Sequence, residues 1–217
     1  FAFLFDMDGT LLDNMRVHTQ AWREFLIDHG MDLDPDEFLT RTGGRKTIEV
    51  VKELFGNQLT ELEVQTLAEQ KELLYRVLMR PRLKPLKGLR RFLQSCGKEK
   101  ILMGVASAAP ERNMKFTLSG LGLNSFFSTC VHGGEARHGK PDPEIFLLAA
   151  RRLNVPPSRC LVFEDSVSGI AAAEAGNMKS VALTTMHVAG EFIRFPHVLN
   201  VFPDFSSLSP SLLIGKL

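Results

Sequence analysis

Two aspartates separated by one residue, Asp6 and Asp8, follow the apolar run Phe1-Ala-Phe-Leu-Phe5 and lead directly into Gly9. Further along stand Ser107 behind the apolar run 101–106, Lys140 within Gly139-Lys-Pro-Asp-Pro143, and an acidic pair, Glu164-Asp165, behind the apolar run 160–163. Brought to one place, these are the groups that phosphoryl transfer requires. A phosphoryl group is anionic, so an anionic nucleophile reaches it only after charge is neutralised. Carboxylates that share Mg²⁺ with a substrate phosphate supply that neutralisation. Asp6 and Asp165 suit the ion, and Glu164 would bind it directly or through a water. Lys140 adds fixed positive charge and Ser107 a hydroxyl donor; positioning and electrostatics of this kind carry most of the catalysis in such reactions. Asp6 can then attack and form an acyl-phosphate. Asp8 can protonate the leaving oxygen and later deprotonate a water, provided its carboxyl holds a proton part of the time.

The elements that must bring these residues together are legible as a pattern. Short apolar runs at 1–5, 101–106, 127–131, 160–163 and 180–183 read as buried strands, with 199–202 as a short final one. Helical patterns lie between them at 88–95, 111–120, 143–153 and 169–175. This alternation predicts an α/β fold: a doubly wound, Rossmann-like parallel sheet with both faces covered. Ligands bind such sheets at the carboxyl ends of the strands, where all four polar clusters fall. The stretch from about 14 to 80 breaks the alternation, with helical patterns at 18–29, 47–55 and 60–79 and no convincing strand. In the last of these, Leu62, Leu67, Leu73, Leu74, Val77 and Leu78 give an imperfect apolar stripe. The reading is a discontinuous α/β core, residues 1–13 and 82–217, with a helical insertion at 14–81. Pro81 and Pro85 mark the hinge where the sheet resumes.

The run Asp6-Met-Asp-Gly-Thr-Leu-Leu-Asp13 resembles the signature of haloacid-dehalogenase-superfamily phosphatases and phosphomutases. The resemblance continues through Val105-Ala-Ser-Ala-Ala-Pro110, Gly139-Lys-Pro-Asp-Pro143, Phe163-Glu-Asp-Ser166 and Gly169-Ile-Ala-Ala-Ala-Glu-Ala-Gly176. Within the superfamily the chain is most similar to the β-phosphoglucomutase-like subgroup, and the insertion looks like that subgroup's α-helical cap. The resemblance implies that Asp6 is the nucleophile and that Asp8 is the acid/base, with its backbone carbonyl on Mg²⁺. It implies that Ser107 and Lys140 bind phosphate and that Glu164 and Asp165 hold the metal. It places His18 where a histidine couples substrate binding to Asp8. It also likens Arg41-Thr-Gly-Gly-Arg-Lys46 to a cap loop whose basic residue reaches the non-transferring end of the substrate, with Arg45 the best aligned and Lys46 and Arg41 beside it.

The chain departs from the mutase pattern in one place. Sugar phosphomutases resemble Ser-Ala-Ser-Lys-Asn after the second strand; here the run is Ser107-Ala-Ala-Pro-Glu111. Ala109 and Pro110 remove a hydroxyl and a cation from the distal phosphate site, and Glu111 brings an acid. The expected function is therefore hydrolysis of a small phosphate ester, a sugar phosphate, through an aspartyl-phosphate, with a β-phosphoglucomutase-like isomerase as the alternative. A C–Cl dehalogenase needs neither Asp8 nor Mg²⁺, and a non-catalytic scaffold would not need an intact acidic set. Plainer roles stay open. His18, one turn from Trp22, suits packing or capping, Arg45 and Lys46 suit a solvated loop, and Ser107 suits a helix N-cap. Trp22 and Phe25 read as packing residues.

The remaining observations narrow the class. Hydrophobic residues make up 44% and charged residues 24% of 217 residues, which fits a globular protein with a sizeable core. A formal net charge of +1 offers no field for nucleic acid or an anionic membrane. No apolar run is long enough to span a bilayer. The apolar start is too short for a signal peptide, and its reading as a strand without a Met suggests that a few residues precede it. Cys96, Cys130 and Cys160 form no CxxC pair and read as reduced thiols of a cytoplasmic protein, with Cys130 and Cys160 buried in apolar runs. The histidines show no metal-ligand spacing. A small phosphorylated molecule is the expected partner, and a monomer the expected state.

Overall fold

The computed structural model describes residues 1–42 and 45–216. Six strands form one parallel sheet: β1 (Ala2–Phe5), β2 (Leu102–Ala106), β3 (Thr129–Val131), β4 (Cys160–Glu164), β5 (Lys179–Leu183) and β6 (Val198–Phe202). Their order is β3-β2-β1-β4-β5-β6. The chain moves outward from β1 to one edge, then returns to its other side and moves outward again. That reversal puts the topological switch point between β1 and its two neighbours, β2 and β4, with Phe5 level with both Val105 and Phe163. The carboxyl end of β1 is therefore where a crevice opens.

The strands are apolar on both sides because both sides are covered. Phe3, Phe5, Val105, Leu161 and Phe163 face one buried cluster with helix α5 (Leu89–Lys98) and helix α6 (Glu111–Gly120). Leu4, Ala106 and Val162 face a second cluster with α7 (Glu144–Arg152) and α8 (Val167–Ala175). Phe5 and Phe163 stack at 4.6 Å between ring centroids, tying β1 to β4 just below the switch point. The three thiols sit in this apolar surround. Burial raises all three, Cys96 to about 12 and Cys160 to about 11, which leaves them unreactive.

Between β1 and α5 the described residues form helices and no strand: α1 (Met15–Asp28), α2 (Pro35–Thr42), α3 (Thr47–Phe55) and α4 (Glu61–Met79). Trp22, Phe25, Phe38, Val50, Val51 and Val64 make a cluster of their own, separate from those of the sheet. Trp22 and Phe25 are packing residues within it. The insertion leaves and rejoins the sheet at one place, since Leu86 N–H donates to the Leu11 carbonyl at 2.8 Å. Arg80, Arg82, Lys84 and Lys87 lie exposed along the return.

Two sequence readings of the helices need correction. The buried face of α4 is Val64, Ala68, Lys71, Glu72, Tyr75 and Met79, spaced as a helical stripe should be. The leucine-rich stripe read from the sequence lies largely elsewhere: Leu62, Leu73 and Val77 are exposed, and Leu67, Leu74 and Leu78 only partly buried. The period was right and the phase was not, because two ionisable residues occupy core-facing positions. Helices α2 and α9 (Pro210–Ile214) carry patterns too short to stand out. No helix among the described residues is long and apolar enough to cross a membrane.

Candidate active site

The four clusters read from the sequence converge at the carboxyl ends of β1, β2 and β4. Asp6 follows β1 directly, and its N–H continues the ladder to the Phe163 carbonyl at 2.9 Å. Beyond it the backbone must turn past Asp165. Gly9 does this at φ +77°, where a Cβ would fall 1.8 Å from Asp165 Oδ2, so only glycine fits. Gly169, within α8, allows a similar close approach on the other side, since a Cβ there would lie 1.8 Å from Glu164 Oε1.

Lys140, 3% exposed, is the hub. Its Nζ donates to Asp6 Oδ1 at 2.5 Å and to Glu164 Oε1 at 2.6 Å, and lies 4.7 Å from the centre of the Phe146 ring. The other Glu164 oxygen accepts from the N–H and the hydroxyl of Ser166, at 2.6 and 2.9 Å. Ser166 is also the N-cap of α8, its hydroxyl accepting from Gly169 N–H at 3.0 Å. Asp165 Oδ2 meets Thr185 Oγ1 at 3.2 Å, and the same hydroxyl reaches the Gly9 carbonyl. Ser107 lines the pocket, with its Oγ accepting from Ala109 N–H at 3.2 Å; the N-cap position of α6 is Pro110.

One lysine stands among Asp6, Asp8, Glu164 and Asp165, so negative charge is in surplus. Burial pushes the Asp6 carboxyl up to about 8, and Glu164 and Asp8 reinforce this against the pull of Lys140. Asp165 is raised by burial, by Glu164 and by Asp6. Burial alone would lower Lys140, but Asp6 and Glu164 outweigh it and push it up. A divalent cation would offset such a set. Among the described residues no three His, Cys, Asp or Glu side chains form a ready-made cage, because Lys140 stands between Asp6 and Glu164. Mg²⁺ does not need one, since it is usually held by one or two carboxylates with phosphate and waters. Asp6 and Asp165 fit that requirement, whereas Glu164 is taken up by Lys140 and Ser166.

Asp8 is held by a residue that the sequence reading passed over. Asn14, just before α1, donates to Asp8 Oδ1 at 2.6 Å and accepts from Gly9 N–H at 2.9 Å, while its amide also meets the Tyr75 hydroxyl at 2.6 Å. His18 Nε2 lies 3.6 Å from the same Asp8 oxygen, and the His18 ring stacks on Tyr75 at 4.0 Å between centroids. Behind His18, Lys71 Nζ lies 3.0 Å from Nδ1 and 3.0 Å from Glu72 Oε1. Glu72 in turn receives Thr47 Oγ1 and Asn113 Nδ2. Lys71, Glu72 and Asn113 all line the pocket. The signal of Lys71 and Glu72 in the sequence was the interruption of an apolar helical face by charge.

The basic cap-loop residues separate. Arg45 lines the pocket and pairs with Glu53 Oε2 at 2.7 Å. Lys46 was grouped with it as a substrate contact, but its Nζ reaches the carbonyls of Ala136 and Arg137, the latter at 3.1 Å. These carbonyls lie in the segment before Lys140 and offer acceptors that a loop cation finds without entering the pocket. Glu49 joins them by accepting from Gly139 N–H at 3.0 Å. Arg41 lies over the Phe38 ring at 5.9 Å. Gly43 and Gly44 of the same loop lie outside the described residues.

Comparison with known proteins agrees with this geometry. The profile of the haloacid dehalogenase-like hydrolases matches residues 2–177, and the chain belongs to that family. It is 32% identical over 180 residues to fructose-1-phosphate phosphatase YqaB of Escherichia coli, covering 83% of this chain and 94% of that one. It is 30% identical over 185 residues to the chloroplastic 5-amino-6-(5-phospho-D-ribitylamino)uracil phosphatase of Arabidopsis thaliana, covering 85% of this chain but only 50% of that longer protein. The structure of a β-phosphoglucomutase from Clostridium difficile superposes with a TM-score of 0.85 at 30% identity, covering 99% of this chain and 96% of the other. The fold is thus the α/β core of this family with an inserted helical cap. The relatives include both phosphatases and a phosphomutase.

Proposed function

We propose that this chain is a Mg²⁺-dependent phosphatase that hydrolyses a small phosphate ester, a sugar phosphate, through an aspartyl-phosphate on Asp6. The observation that carries the reading is the buried Lys140 bridge between Asp6 and Glu164, set beside an Asp8 that is held separately by Asn14 and faces His18. One carboxylate is locked beside a cation, and a second stands two residues away with different partners. That difference suits two different tasks.

In the first step an Asp6 oxygen attacks phosphorus, the ester bond breaks, and the leaving oxygen takes a proton from Asp8. The alcohol departs and the acyl-phosphate remains. In the second, Asp8 takes a proton from water as the water oxygen attacks phosphorus, which releases inorganic phosphate and the Asp6 carboxylate. Lys140, paired with Asp6, and Ser107, on the pocket wall, would stabilise the transferring group. Asp6, Asp165 and the Asp8 carbonyl would hold Mg²⁺, which supplies charge neutralisation at the phosphoryl oxygens. The cap helices, by covering Asp8, exclude bulk water. Core residues 1–13 and 82–217 then supply the chemistry and the cap, 14–81, the selection.

A second reading, an intramolecular sugar phosphomutase, is favoured by the approach of His18 to Asp8 and by Arg45 on the pocket wall. Ala109 and Pro110 on the same wall speak against it, since neither offers a polar side-chain group to a second phosphate. The test is a screen of hexose phosphates with Mg²⁺, with and without a bisphosphate activator, that follows phosphate and isomer together. Release of phosphate without isomer supports the phosphatase. Isomer formation that depends on the bisphosphate would replace it with the mutase.

A further inference from the structure

The cap contributes two basic side chains to the pocket wall, Lys71 and Arg45, and the chain already neutralises each of them. Lys71 Nζ lies 3.0 Å from Glu72 Oε1, with both side chains almost wholly buried, and Arg45 pairs with Glu53 at 2.7 Å. The stretch that the core adds beside them, Ala108, Ala109, Pro110 and Asn113, has no charge. Following the contacts away from the reaction centre, Asp8 meets His18, His18 meets Lys71, and Lys71 meets Glu72. Glu72 therefore stands at the far end of this chain as a fixed carboxylate on the pocket wall.

Three donors hold it there: Lys71, the Thr47 hydroxyl and the Asn113 amide. Burial opposes its ionisation, but Lys71, His18 and the Thr47 hydrogen bond outweigh that and bring it down to about 2, so it is anionic at any working pH. Lys71 and Glu72 cancel, as do Arg45 and Glu53, so a second phosphate would bring about two negative charges to a wall whose Lys and Arg among the described residues are already paired. Burying that charge without a counter-ion is strongly unfavourable, and loss of the Glu72 charge would free Lys71 to supply one. Hydroxyl groups meet the opposite situation. Glu72 and the Thr47 and Thr42 oxygens can accept from them, although both threonine hydroxyls already donate within the protein, and all three residues line the pocket.

From this arrangement we infer that Glu72 is a specificity-determining residue, which closes the distal part of the pocket to a second phosphate and reserves it for the neutral hydroxylated end of a monophosphate. The inference rests on the reading of this pocket as a phosphate-ester site and narrows its substrate class to polyol and sugar monophosphates. Charge repulsion built into a wall is an effective way to reject a near-isosteric competitor.

The experiment compares a hexose monophosphate with the matching hexose bisphosphate. One arm measures kcat/KM for phosphate release. The other measures Kd by calorimetry in an Asp6→Asn background, which reads selection without requiring turnover. Wild type should favour the monophosphate at least tenfold in both arms. Glu72→Gln keeps the shape and removes the charge, and should narrow that ratio at least tenfold. Asn113→Asp adds a charge to the same wall and should widen it, which decides the matter even if Glu72→Gln fails to fold. A wild type indifferent to the second phosphate, or a ratio unchanged by the folded variants, overturns the inference. Selection in the binding arm with no phosphate released from any ester would instead remove the phosphatase reading and leave the role of Glu72 standing.

Discussion

Lys71 Nζ lies 3.0 Å from His18 Nδ1, and that contact determines which edge of the imidazole faces Asp8. An ammonium can only donate, so Nδ1 accepts and the proton of a neutral ring belongs on Nε2, the atom 3.6 Å from Asp8 Oδ1. The stacked Tyr75 ring keeps the imidazole from turning. A cap residue thereby aims an N–H edge at the core carboxylate proposed to move protons. His18→Gln should lower kcat/KM roughly 10- to 100-fold on an alkyl phosphate and far less on an aryl phosphate, whose leaving group needs little help. Equal losses on both would assign His18 to packing alone.

Asp8→Asn probes the same step directly. It should cost about 10²- to 10⁴-fold in kcat with a sugar phosphate, with the smallest loss on p-nitrophenyl phosphate. The measurement is steady-state kinetics on the two substrates side by side, and a uniform loss would contradict the acid/base assignment.

The surplus of carboxylates beside Lys140 predicts a stability effect of metal that needs no turnover. Mg²⁺ bound to the folded chain alone raises Tm by mass action, and EDTA should reverse the rise and abolish activity. Asp165→Asn should remove most of the Mg²⁺-dependent rise. A melting temperature indifferent to Mg²⁺ would oppose the site formed by Asp6 and Asp165.

The cap clasps the core at the segment that leads into Lys140, through Lys46 on the carbonyls of residues 136 and 137 and Glu49 on Gly139 N–H. Lys46→Ala with Glu49→Gln touches neither substrate nor sheet core. The double variant should lower kcat/KM about tenfold, as expected when a lysine is left slightly misplaced, while Tm shifts by only a few degrees. Thermal melts and kinetics on one preparation check this. Unchanged kinetics would make the clasp a plain surface contact.

Glu72 gives the fold an acid-sensitive component. Its carboxyl is held at about 2 in the folded chain against an ordinary 4.5, so its contribution is fully present above about pH 4.5 and is lost as pH falls toward 2. The shift corresponds to about 3 kcal/mol. Lys71, the Thr47 hydroxyl and Asn113 bond to it, and His18 stands beyond Lys71. In urea titrations between pH 6 and 3, wild type should lose stability relative to Glu72→Gln, and parallel curves would contradict the assignment.

The sequence made the sheet and the acidic centre readable because each of those residues directly follows an apolar strand, so that pattern and position coincide. Asp6, Ser107 and the Glu164-Asp165 pair needed only the rule that ligands lie at strand ends. The cap was harder. Lys71 and Glu72 sit where a helical stripe should be apolar, so the apolar pattern falls instead on Leu62, Leu73 and Val77, which face solvent. Asn14 and Tyr75 meet across 61 residues, and Glu49 and Gly139 across 90. No local period encodes such meetings; they depend on how the cap seats on the core.

A phosphoryl group carried on Asp6 is open to direct detection: mix the protein with Mg²⁺ and an aryl phosphate, quench in acid within a turnover, and map the chain by mass spectrometry. One phosphoryl group should appear on the peptide carrying Asp6 and be absent from Asp6→Asn, which should also be inactive. An unmodified peptide during rapid turnover, or substantial activity in Asp6→Asn, would contradict it.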